Sequence, residues 1–438
     1  MIVRLAAALV VLGAVPVLAN GLPRADRPES VGLSSDRLKR LTDVMKAGVD
    51  KGEIPGAVVL IGRGGKIAYL EAFGFRDREA KAPMTTDVIF RIASMTKPMT
   101  SLAALMLAEE GKLHLASPVA RYLPEFKDVM VGIEKKDADG KVTIETAAPR
   151  RPMTVQDLLR HTSGLTYGNQ TSEIRKQYVA AGVMSRDQTN AEMSAKLAKL
   201  PLVFQPGTTW EYSMATDVLA RVVEVVSGKD FDAFLAERIT GRLKMDDSGF
   251  WVEAAKQGRL AEAQNGPDGK RPPLPNVTTR PKWYSGGGGM VSTAADYARL
   301  CQMFLNGGTL DGARLVSHKT IELMTANHLP PGVSYGPLTA IGFEALAPTP
   351  EFGQGFGLGF AVRTEAGRNP LHGSAGDYYW GGAHGTYFWI DPKERMFAIL
   401  MMQAPAQRLP YRYLMRELVY QAVIASPAGH RRQTASAN

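Results

Sequence analysis

The sequence predicts an α+β fold in which one antiparallel sheet of five strands, built from both ends of the chain, is flanked by helices. Three observations support this prediction. Two strand-like runs flank Gly64-Gly65 near the N-terminus, and three more lie in the last third of the chain. Residues 116–280 instead carry helical patterns broken by loops rich in proline and glycine. This middle segment is therefore expected to be an all-α, or at least mainly helical, insert domain.

Composition sets the broad class of the protein. The chain has 438 residues, of which 45% are hydrophobic and 22% charged, a balance typical of globular proteins. The formal net charge is +9, but the basic residues are dispersed and often stand beside acids. The densest basic runs, "APRRP" at 148–152 and "GHRRQTASAN" at 429–438, lack the length and interleaved aromatics of a nucleic-acid site. We therefore expect no nucleic-acid partner.

Residues 1–19 have the pattern of a secretory signal peptide. Arg4 gives a positive start, and the apolar run "LAAALVVLGAVPVLA" that follows is too short to span a bilayer comfortably. Cleavage is predicted after Ala19, and an uncleaved anchor is the alternative. No later stretch is long and apolar enough to cross a membrane. The mature protein is therefore expected to be periplasmic or secreted, without a stable membrane span, and its oligomeric state is left open.

The first part of the mature chain, 20–115, begins with a helix and a hairpin. Ser34 or Ser35 can cap a helix. Four apolar residues lie on one side of that helix: Leu38, Leu41, Met45 and Val49. "AVVLIGR" and "KIAYLEAFG" then flank two glycines, which is a signal for a two-stranded hairpin.

The last part, 281–438, returns to strands. "GLGFAVR", "GAHGTYFWID" and "RMFAILMMQ" have the length of strands, and a closing helix, "YRYLMRELVYQAVIAS", follows them. The only cysteine, Cys301, cannot form an intrachain disulfide. Its apolar neighbours at helical spacing indicate a buried core thiol.

Ser94 and Lys97 stand three residues apart, in "IASMTKPMTS" (92–101), where a helix is predicted to begin. On a helix, this spacing places both side chains on one face, with Cβ atoms about 5–6 Å apart. Pro98 is tolerated only in or near the first turn, so the helix must begin close to Ala93 or Ser94. The serine would then lie at the positive end of the helix dipole.

This pair could perform nucleophilic catalysis. A serine is a poor nucleophile until a base takes its proton, and a lysine amine is a base only where a dry environment favours its uncharged form. Ile92, Met95 and Met99 would supply apolar neighbours, and no other serine in the chain has a lysine at this offset. The alternative is that Ser94 only caps the helix and Lys97 is a surface charge.

Other motifs carry less weight. "GVSYG" at 332–336 lies between loop signals and lacks the strand and helix that a nucleophile elbow requires. "SGGGG" at 285–289 has no following Gly-Lys-Ser/Thr and is expected to be a flexible loop. The seven histidines show no metal-ligand spacing. We therefore expect neither a metal nor another cofactor.

Four motifs occur in a characteristic order: "SMTK" at 94–97, "HTSGL" at 161–165, "YS" at 212–213 and "WGGAHGT" at 380–386. With them the chain resembles the serine β-lactamase and penicillin-binding-protein superfamily, and within it the class C β-lactamase-like serine hydrolases. The resemblance covers nearly the whole mature chain. It implies a β-lactamase/transpeptidase-like fold with the active site between the sheet domain and the insert.

The resemblance also implies roles for individual residues. Ser94 would be the acylated nucleophile, Lys97 the buried amine that helps to deprotonate it, and Tyr212 the second basic group, which passes the proton to the leaving group. The backbone N–H groups of Ser94 and Ala383 would form the oxyanion hole. Gly381 and Gly382 would let that strand approach the substrate closely.

Two departures from the family pattern bear on the substrate. Trp380, Gly381 and Gly382 stand where β-lactamases carry lysine-threonine-glycine, and Met214 stands where the tyrosine motif ends in asparagine. An indole offers one neutral N–H and cannot pair with a carboxylate as an ammonium does. The tryptophan-glycine-glycine sequence is similar to that of the family VIII carboxylesterases. The residues predicted to contact the substrate are Tyr167, Met214, Trp380, Gly381, Gly382 and His384. For Tyr167 the alternative is a packing role, and for His384 it is that of an ordinary structural histidine.

The resulting hypothesis is an exported serine hydrolase that forms an acyl-enzyme on Ser94, most consistent with a carboxylesterase acting on short-chain neutral esters. The alternatives are a class C-like β-lactamase, a D-alanyl-D-alanine peptidase or an acyltransferase with the same site. A non-catalytic penicillin-binding-like module is the alternative from a different class. In every catalytic case the partner is a small-molecule ester or amide.

Overall fold

A computed structural model describes residues 21–425, except for the side chains of residues 338, 340 and 341. The predicted signal peptide at 1–19 and the basic tail at 429–438 lie outside these described residues. None of the helices in the described part is both long and apolar enough to cross a membrane. The division into 20–115, 116–280 and 281–438 stays a prediction.

The strands, in chain order, are β1 Gly56–Arg63, β2 Lys66–Asp77, β3 Ala82–Pro83, β4 Phe90–Arg91, β5 Val131–Lys136, β6 Val142–Ala147, β7 Thr209–Trp210, β8 Val291–Ser292, β9 Thr309–Leu310, β10 Ala313–Arg314, β11 Ser334–Tyr335, β12 Gln354–Phe356, β13 Ala361–Arg363, β14 Tyr378–Gly381, β15 Tyr387–Asp391 and β16 Met396–Met402. The main sheet has eight of them in the order β12-β13-β14-β15-β16-β1-β2-β3, and every neighbouring pair is antiparallel. The pairing of β1 with β16 joins the two ends of the chain, as predicted.

The number of strands predicted was wrong. Five strands were expected, and the additional ones are β3, β12 and β14, which are only two to four residues long. Such short segments give too little alternation to be recognised from a sequence. The run from Gly382 to Asp391 is also not a single strand: β14 ends at Gly381, and a turn separates it from β15.

The helices are α1 Ser35–Asp50, α2 Lys97–Glu109, α3 Val155–Leu159, α4 Glu173–Ala180, α5 Asn190–Leu197, α6 Ala215–Ser227, α7 Phe231–Leu235, α8 Ala294–Leu305, α9 His318–Thr325, α10 Leu338–Phe343 and α11 Arg408–Tyr420. Ser34 caps α1 as predicted, since its hydroxyl accepts a hydrogen bond from the backbone N–H of Arg37. Cys301 lies on α8 and is fully buried, also as predicted.

Both faces of the main sheet are covered by helices. Successive residues of a strand point to opposite faces. On β15, the Phe388 ring contacts Tyr297 of α8 at a centroid distance of 5.0 Å, whereas the neighbouring Trp389 stacks on Tyr420 of α11. Helices α8 and α11 therefore lie on opposite faces, which explains why every residue of β1 and β16 is buried.

The middle segment is mainly helical, but it is not all-α. It contains α3 to α7 and also the β5–β6 hairpin, in which Val131 pairs with Ala147. The hairpin strands are mostly polar and exposed, so their sequence offers little hydrophobic pattern to predict them from.

Candidate active site

A tight turn brings the predicted nucleophile and amine together. Residues Ala93–Thr96 form a 3₁₀ turn that leads directly into α2, whose first residue is Lys97 and whose second is Pro98. The helix start predicted from Pro98 is thus confirmed. Ala93 has a φ of +44°, a costly conformation for a residue with a side chain. Strained backbone of this kind clusters at functional sites.

Lys97 is 1% exposed, and its amine has three polar neighbours. Nζ lies 3.3 Å from Ser94 Oγ, 3.0 Å from the Tyr167 hydroxyl and 2.6 Å from the carbonyl oxygen of Gly287. It also lies 4.5 Å from the centroid of the Tyr212 ring. Within residues 21–425 no carboxylate comes within ion-pairing distance of this amine. The two side chains therefore lie side by side, with the amine buried and the serine half-buried, and the sequence predicted that they would face each other.

A buried acid behind Lys97 was missed by sequence reasoning. Asp217, in the first turn of α6, is 1% exposed and accepts hydrogen bonds from Ser285 Oγ at 2.5 Å and from the backbone N–H of Gly287 at 3.0 Å. Burial raises the pKa of Asp217, and the positive charge of Lys97 opposes that rise. The backbone of Gly287 therefore contacts both groups: its N–H donates to Asp217, and its carbonyl oxygen faces the Lys97 amine.

The glycine run 285–289 is closely packed, so the prediction of a flexible loop was wrong. A Cβ on Gly287 would collide with the Asp217 carboxylate, and one on Gly286 would come within 2.6 Å of the Cβ of Ala220. Thr100 of α2 donates to the Gly286 carbonyl at 2.7 Å. Glycine is needed here for the close approach of the backbone to α2 and α6.

Two phenols and an indole form the wall opposite Ser94. The Tyr167 hydroxyl faces Lys97, whereas the Tyr212 hydroxyl accepts a hydrogen bond from Trp380 Nε1 at 3.1 Å. Burial raises the pKa of Tyr167 well above its usual value, and the neighbouring Tyr212 and Asp217 add to the rise. Tyr167 therefore stays a neutral phenol at physiological pH. The aromatic wall continues through His161, Trp210, Phe343 and Phe356.

His161, from the "HTSGL" motif, supports Tyr212 from behind. It is 1% exposed and has a φ of +58°. Its ring centroid lies 5.0 Å from that of Tyr212, and its nitrogens contact the hydroxyls of Ser213 at 3.3 Å and Thr216 at 3.4 Å. Burial, with a further contribution from the charge of Lys97, holds the pKa of His161 well below its usual value. The imidazole is therefore neutral.

The loop after β14 approaches the nucleophile turn directly. A Cβ on Gly382 would collide with the carbonyl oxygen of Ile92 and with Thr386 Oγ1, so only glycine fits there. Thr386 Oγ1 donates to the same Ile92 carbonyl at 3.2 Å. Within residues 21–425 the backbone N–H of Ala383 makes no hydrogen bond, and neither does that of Ser94. Both groups are thus available as donors, which the oxyanion-hole prediction requires.

The predicted substrate contacts differ in how accessible they are. Tyr167, Gly381 and His384 are half-buried, whereas Trp380 is buried and presents its indole N–H to Tyr212. Burial, followed by the charges of Arg91 and Arg186, lowers the pKa of His384 to about 4, so its ring is neutral at physiological pH.

Met214 is fully buried in the hydrophobic core, at the residue before α6. Its contact with the substrate stays a prediction. In place of the asparagine of the family motif, this position supports packing.

Comparisons with known proteins identify the family to which this chain belongs. Residues 41–419 match the family model described as Beta-lactamase. The chain is 36% identical over 368 residues to Protein Rv1367c of Mycobacterium tuberculosis, covering 81% of this chain and 87% of that one. It is 31% identical over 409 residues to Esterase EstB of Burkholderia gladioli, covering 87% and 94%.

Among solved structures, the chain is similar to "EstCE1, a hydrolase with promiscuous acyltransferase activity", with a TM-score of 0.73 and 27% identity over 88% of this chain and 99% of that one. The relatives of this chain that carry an activity in their names include esterases and acyltransferases. The protein belongs to the beta-lactamase family and is a serine hydrolase of the esterase or acyltransferase type.

Proposed function

We propose that this protein is an exported carboxylesterase that acts on neutral short-chain esters through an acyl-enzyme on Ser94. The observation that carries the proposal is the position of the Lys97 amine, 1% exposed and 3.3 Å from Ser94 Oγ, with no carboxylate paired to it within the described residues. At this distance the amine can take the proton of the serine hydroxyl whenever Lys97 is unprotonated, which is what nucleophilic catalysis by Ser94 requires.

In the first half of the reaction, Ser94 Oγ attacks the ester carbonyl carbon and its proton passes to Lys97. This step requires an unprotonated amine, whose two N–H groups can serve the Gly287 carbonyl and the Tyr167 oxygen while the lone pair accepts the serine proton. The negative charge that develops on the carbonyl oxygen is received by the backbone N–H groups of Ser94 and Ala383.

In the second half, the tetrahedral intermediate collapses and the alcohol leaves with a proton supplied by Tyr212. Water then attacks the acyl-enzyme and gives a proton to the Tyr212 oxygen. Collapse of the second tetrahedral intermediate breaks the bond to Ser94 Oγ, which takes back the proton held by Lys97, and the carboxylic acid is released. Burial raises the pKa of Tyr167 well above its usual value and makes that phenol a poor proton donor, which leaves this role to Tyr212. The Trp380 indole N–H, which contacts the Tyr212 hydroxyl, would also stabilise a phenolate there.

The aromatic wall favours a neutral substrate. The single N–H of Trp380 is already used on Tyr212, so it is not free to bind the carboxylate that penicillins and D-alanyl peptides carry. A β-lactamase or D-alanyl peptidase is therefore the less favoured alternative. Acyl transfer to an alcohol is the second candidate, because EstCE1, which the chain resembles in structure, is titled a hydrolase with promiscuous acyltransferase activity.

The test is a substrate panel on the purified full chain: a short-chain nitrophenyl ester, a chromogenic cephalosporin, and the ester with an added alcohol acceptor. We expect ester hydrolysis to be fastest and Ser94→Ala to lose at least about a thousandfold in kcat. Ser30→Ala is the control, because Ser30 is exposed and lies 64 positions before Ser94 in the sequence; its kcat should equal that of wild type. Full turnover by Ser94→Ala would refute the proposal, and failure of Ser94 to react with a fluorophosphonate would favour a non-catalytic module.

Lys97→Arg tests the amine separately. A guanidinium keeps the positive charge but does not lose its proton in proteins, so it cannot act as the base. We expect Lys97→Arg and Lys97→Met to lose turnover to a similar extent, by about a hundredfold or more. Substantial activity in Lys97→Arg alone would mean that the residue contributes only its charge. Export is tested by sequencing the N-terminus of the protein recovered from outside the cytoplasm.

A further inference from the structure

A buried arginine lies behind the loop that carries Ala383. Arg412, on α11, is 5% exposed, and Nη2 donates to the carbonyl oxygens of Gly382 at 2.6 Å and Thr386 at 3.3 Å. These two carbonyls are at the two ends of the turn between β14 and β15. The guanidinium also fills the space beside Gly381, where a Cβ would come within 2.6 Å of its carbon.

This cation has an unusual environment. No carboxylate of residues 21–425 comes within ion-pairing distance of Arg412, and its Nε has no hydrogen-bond partner there. Burying a charge without a counter-charge is costly, so it is retained only where something offsets the cost. Burial lowers the pKa of Arg412 to about 10, which still leaves the guanidinium charged at physiological pH.

The contact with Gly382 bears directly on the proposed oxyanion hole. The Gly382 carbonyl and the Ala383 N–H belong to one planar peptide group, in which the C=O and N–H bonds point in opposite directions. With the carbonyl directed inward to Arg412, the N–H is directed away from the guanidinium and toward the exposed side of Ala383. A donor on the carbonyl also polarises the amide and strengthens its N–H as a donor.

We propose that Arg412 is a positioning residue that orients and polarises the Gly382–Ala383 peptide so that its N–H receives the charge developing on the substrate oxygen. The inference rests on the proposed function, because it requires an acyl-transfer step at Ser94. In the resting enzyme no carboxylate of the described residues pairs with the buried cation. In the transition state the negative oxyanion supplies an opposite charge, separated from the guanidinium only by the Gly382–Ala383 peptide group.

The test compares Arg412→Gln, which keeps a neutral donor, with Arg412→Lys, which keeps the charge. Active sites are first counted by fluorophosphonate labelling, so that unfolded or unreactive protein does not lower the apparent kcat. We expect Arg412→Gln to lose about tenfold or more in kcat, a part of the loss seen when an oxyanion donor is removed, and Arg412→Lys to lose less. Binding of an alkylboronic acid, which forms an anionic tetrahedral adduct with a serine, should weaken in parallel with kcat.

Arg408→Gln is the matched control. Arg408 lies one turn earlier on α11 and, within residues 21–425, donates only to the Pro405 carbonyl, so its loss should leave kcat and boronate affinity unchanged. A purely structural role for Arg412 predicts a lower melting temperature with normal kcat per labelled site. That result, or wild-type boronate affinity in folded Arg412→Gln, would overturn the proposal. If Arg412→Gln does not fold, wild-type kcat and boronate affinity in Arg412→Lys would overturn it, because an ammonium cannot reproduce the guanidinium geometry.

Failure of the underlying function gives a different result. If Ser94 is not the nucleophile, wild-type protein will neither label with the fluorophosphonate nor bind the boronic acid, whatever stands at position 412. Normal labelling of wild-type protein together with unaffected Arg412 variants would leave the proposed function standing and remove only the role of Arg412.

Discussion

The indole N–H of Trp380 donates to the hydroxyl of Tyr212 at 3.1 Å, with the two ring centroids 5.3 Å apart. This contact replaces the substrate-binding ammonium of the β-lactamase motif with a group that serves another side chain. Trp380→Phe keeps the aromatic packing and removes only the donor. We expect kcat for a neutral ester to fall about threefold to tenfold, as for the loss of one hydrogen bond of about 1 kcal/mol.

A double-mutant cycle checks that the effect of Trp380→Phe acts through Tyr212. Once Tyr212→Phe has removed the hydroxyl, removal of the indole N–H should have almost no further effect on kcat. Additive losses in kcat would contradict this and indicate that Trp380 contacts the substrate instead.

The two phenols are expected to have different roles. Tyr212→Phe should lower kcat about a hundredfold for an alkyl ester, whose alkoxide needs a proton to leave, and much less for a nitrophenyl ester, whose leaving group does not. Tyr167→Phe removes a contact of Lys97 and should lower kcat for both esters by a similar factor. The measurement is the ratio of the two kcat values in each variant. An equal ratio in wild type and Tyr212→Phe would assign leaving-group protonation to another group.

Gly382 is expected to be intolerant of any side chain. In Gly382→Ala the new methyl would press on the Ile92 carbonyl and on Thr386 Oγ1, which separates the Ala383 loop from the Ser94 turn. We expect a lower melting temperature and a loss in kcat of about a hundredfold or more. Gly258→Ala is the control, because a Cβ there would meet no atom of the described residues within 4 Å. Wild-type kcat in Gly382→Ala would show that the loop can shift without cost.

His384 is expected to affect acid stability. Its pKa is lowered from 6.5 to about 4 in the folded protein, so between these values the unfolded chain binds a proton that the folded one does not. The free energy of unfolding should therefore fall as the pH is lowered from about 6.5 to about 4. His384→Asn should show a shallower decrease than wild type in urea unfolding across this range. Parallel curves would mean that the imidazole titrates normally.

Much of the fold could be predicted because its signals are local. The cap at Ser34 and the alternation around Gly64-Gly65 depend on residues near each other in the chain, and both predictions are confirmed. The same holds for the Ser94–Lys97 pair, whose spacing and following proline are sufficient to place both side chains on one turn. The three strands that were missed are held mainly by their neighbours in the sheet, and so carry little signal of their own.

The sequence by itself determined the α+β class and the joining of both chain ends in one antiparallel sheet. It also determined the candidate nucleophile and amine, and the substitution of tryptophan for the motif lysine. Only the tertiary structure decided which groups surround them. The Tyr167 hydroxyl faces Lys97, Met214 is buried, Asp217 contacts Gly287, and Arg412 contacts Gly382. The physical reason is that the side chains of Asp217 and Arg412 contact backbone groups of glycines that lie 70 and 30 positions away in the sequence, respectively. Nearly every residue carries the same backbone carbonyl and N–H groups, so the side-chain pattern does not predict which of these groups a distant charged side chain will contact.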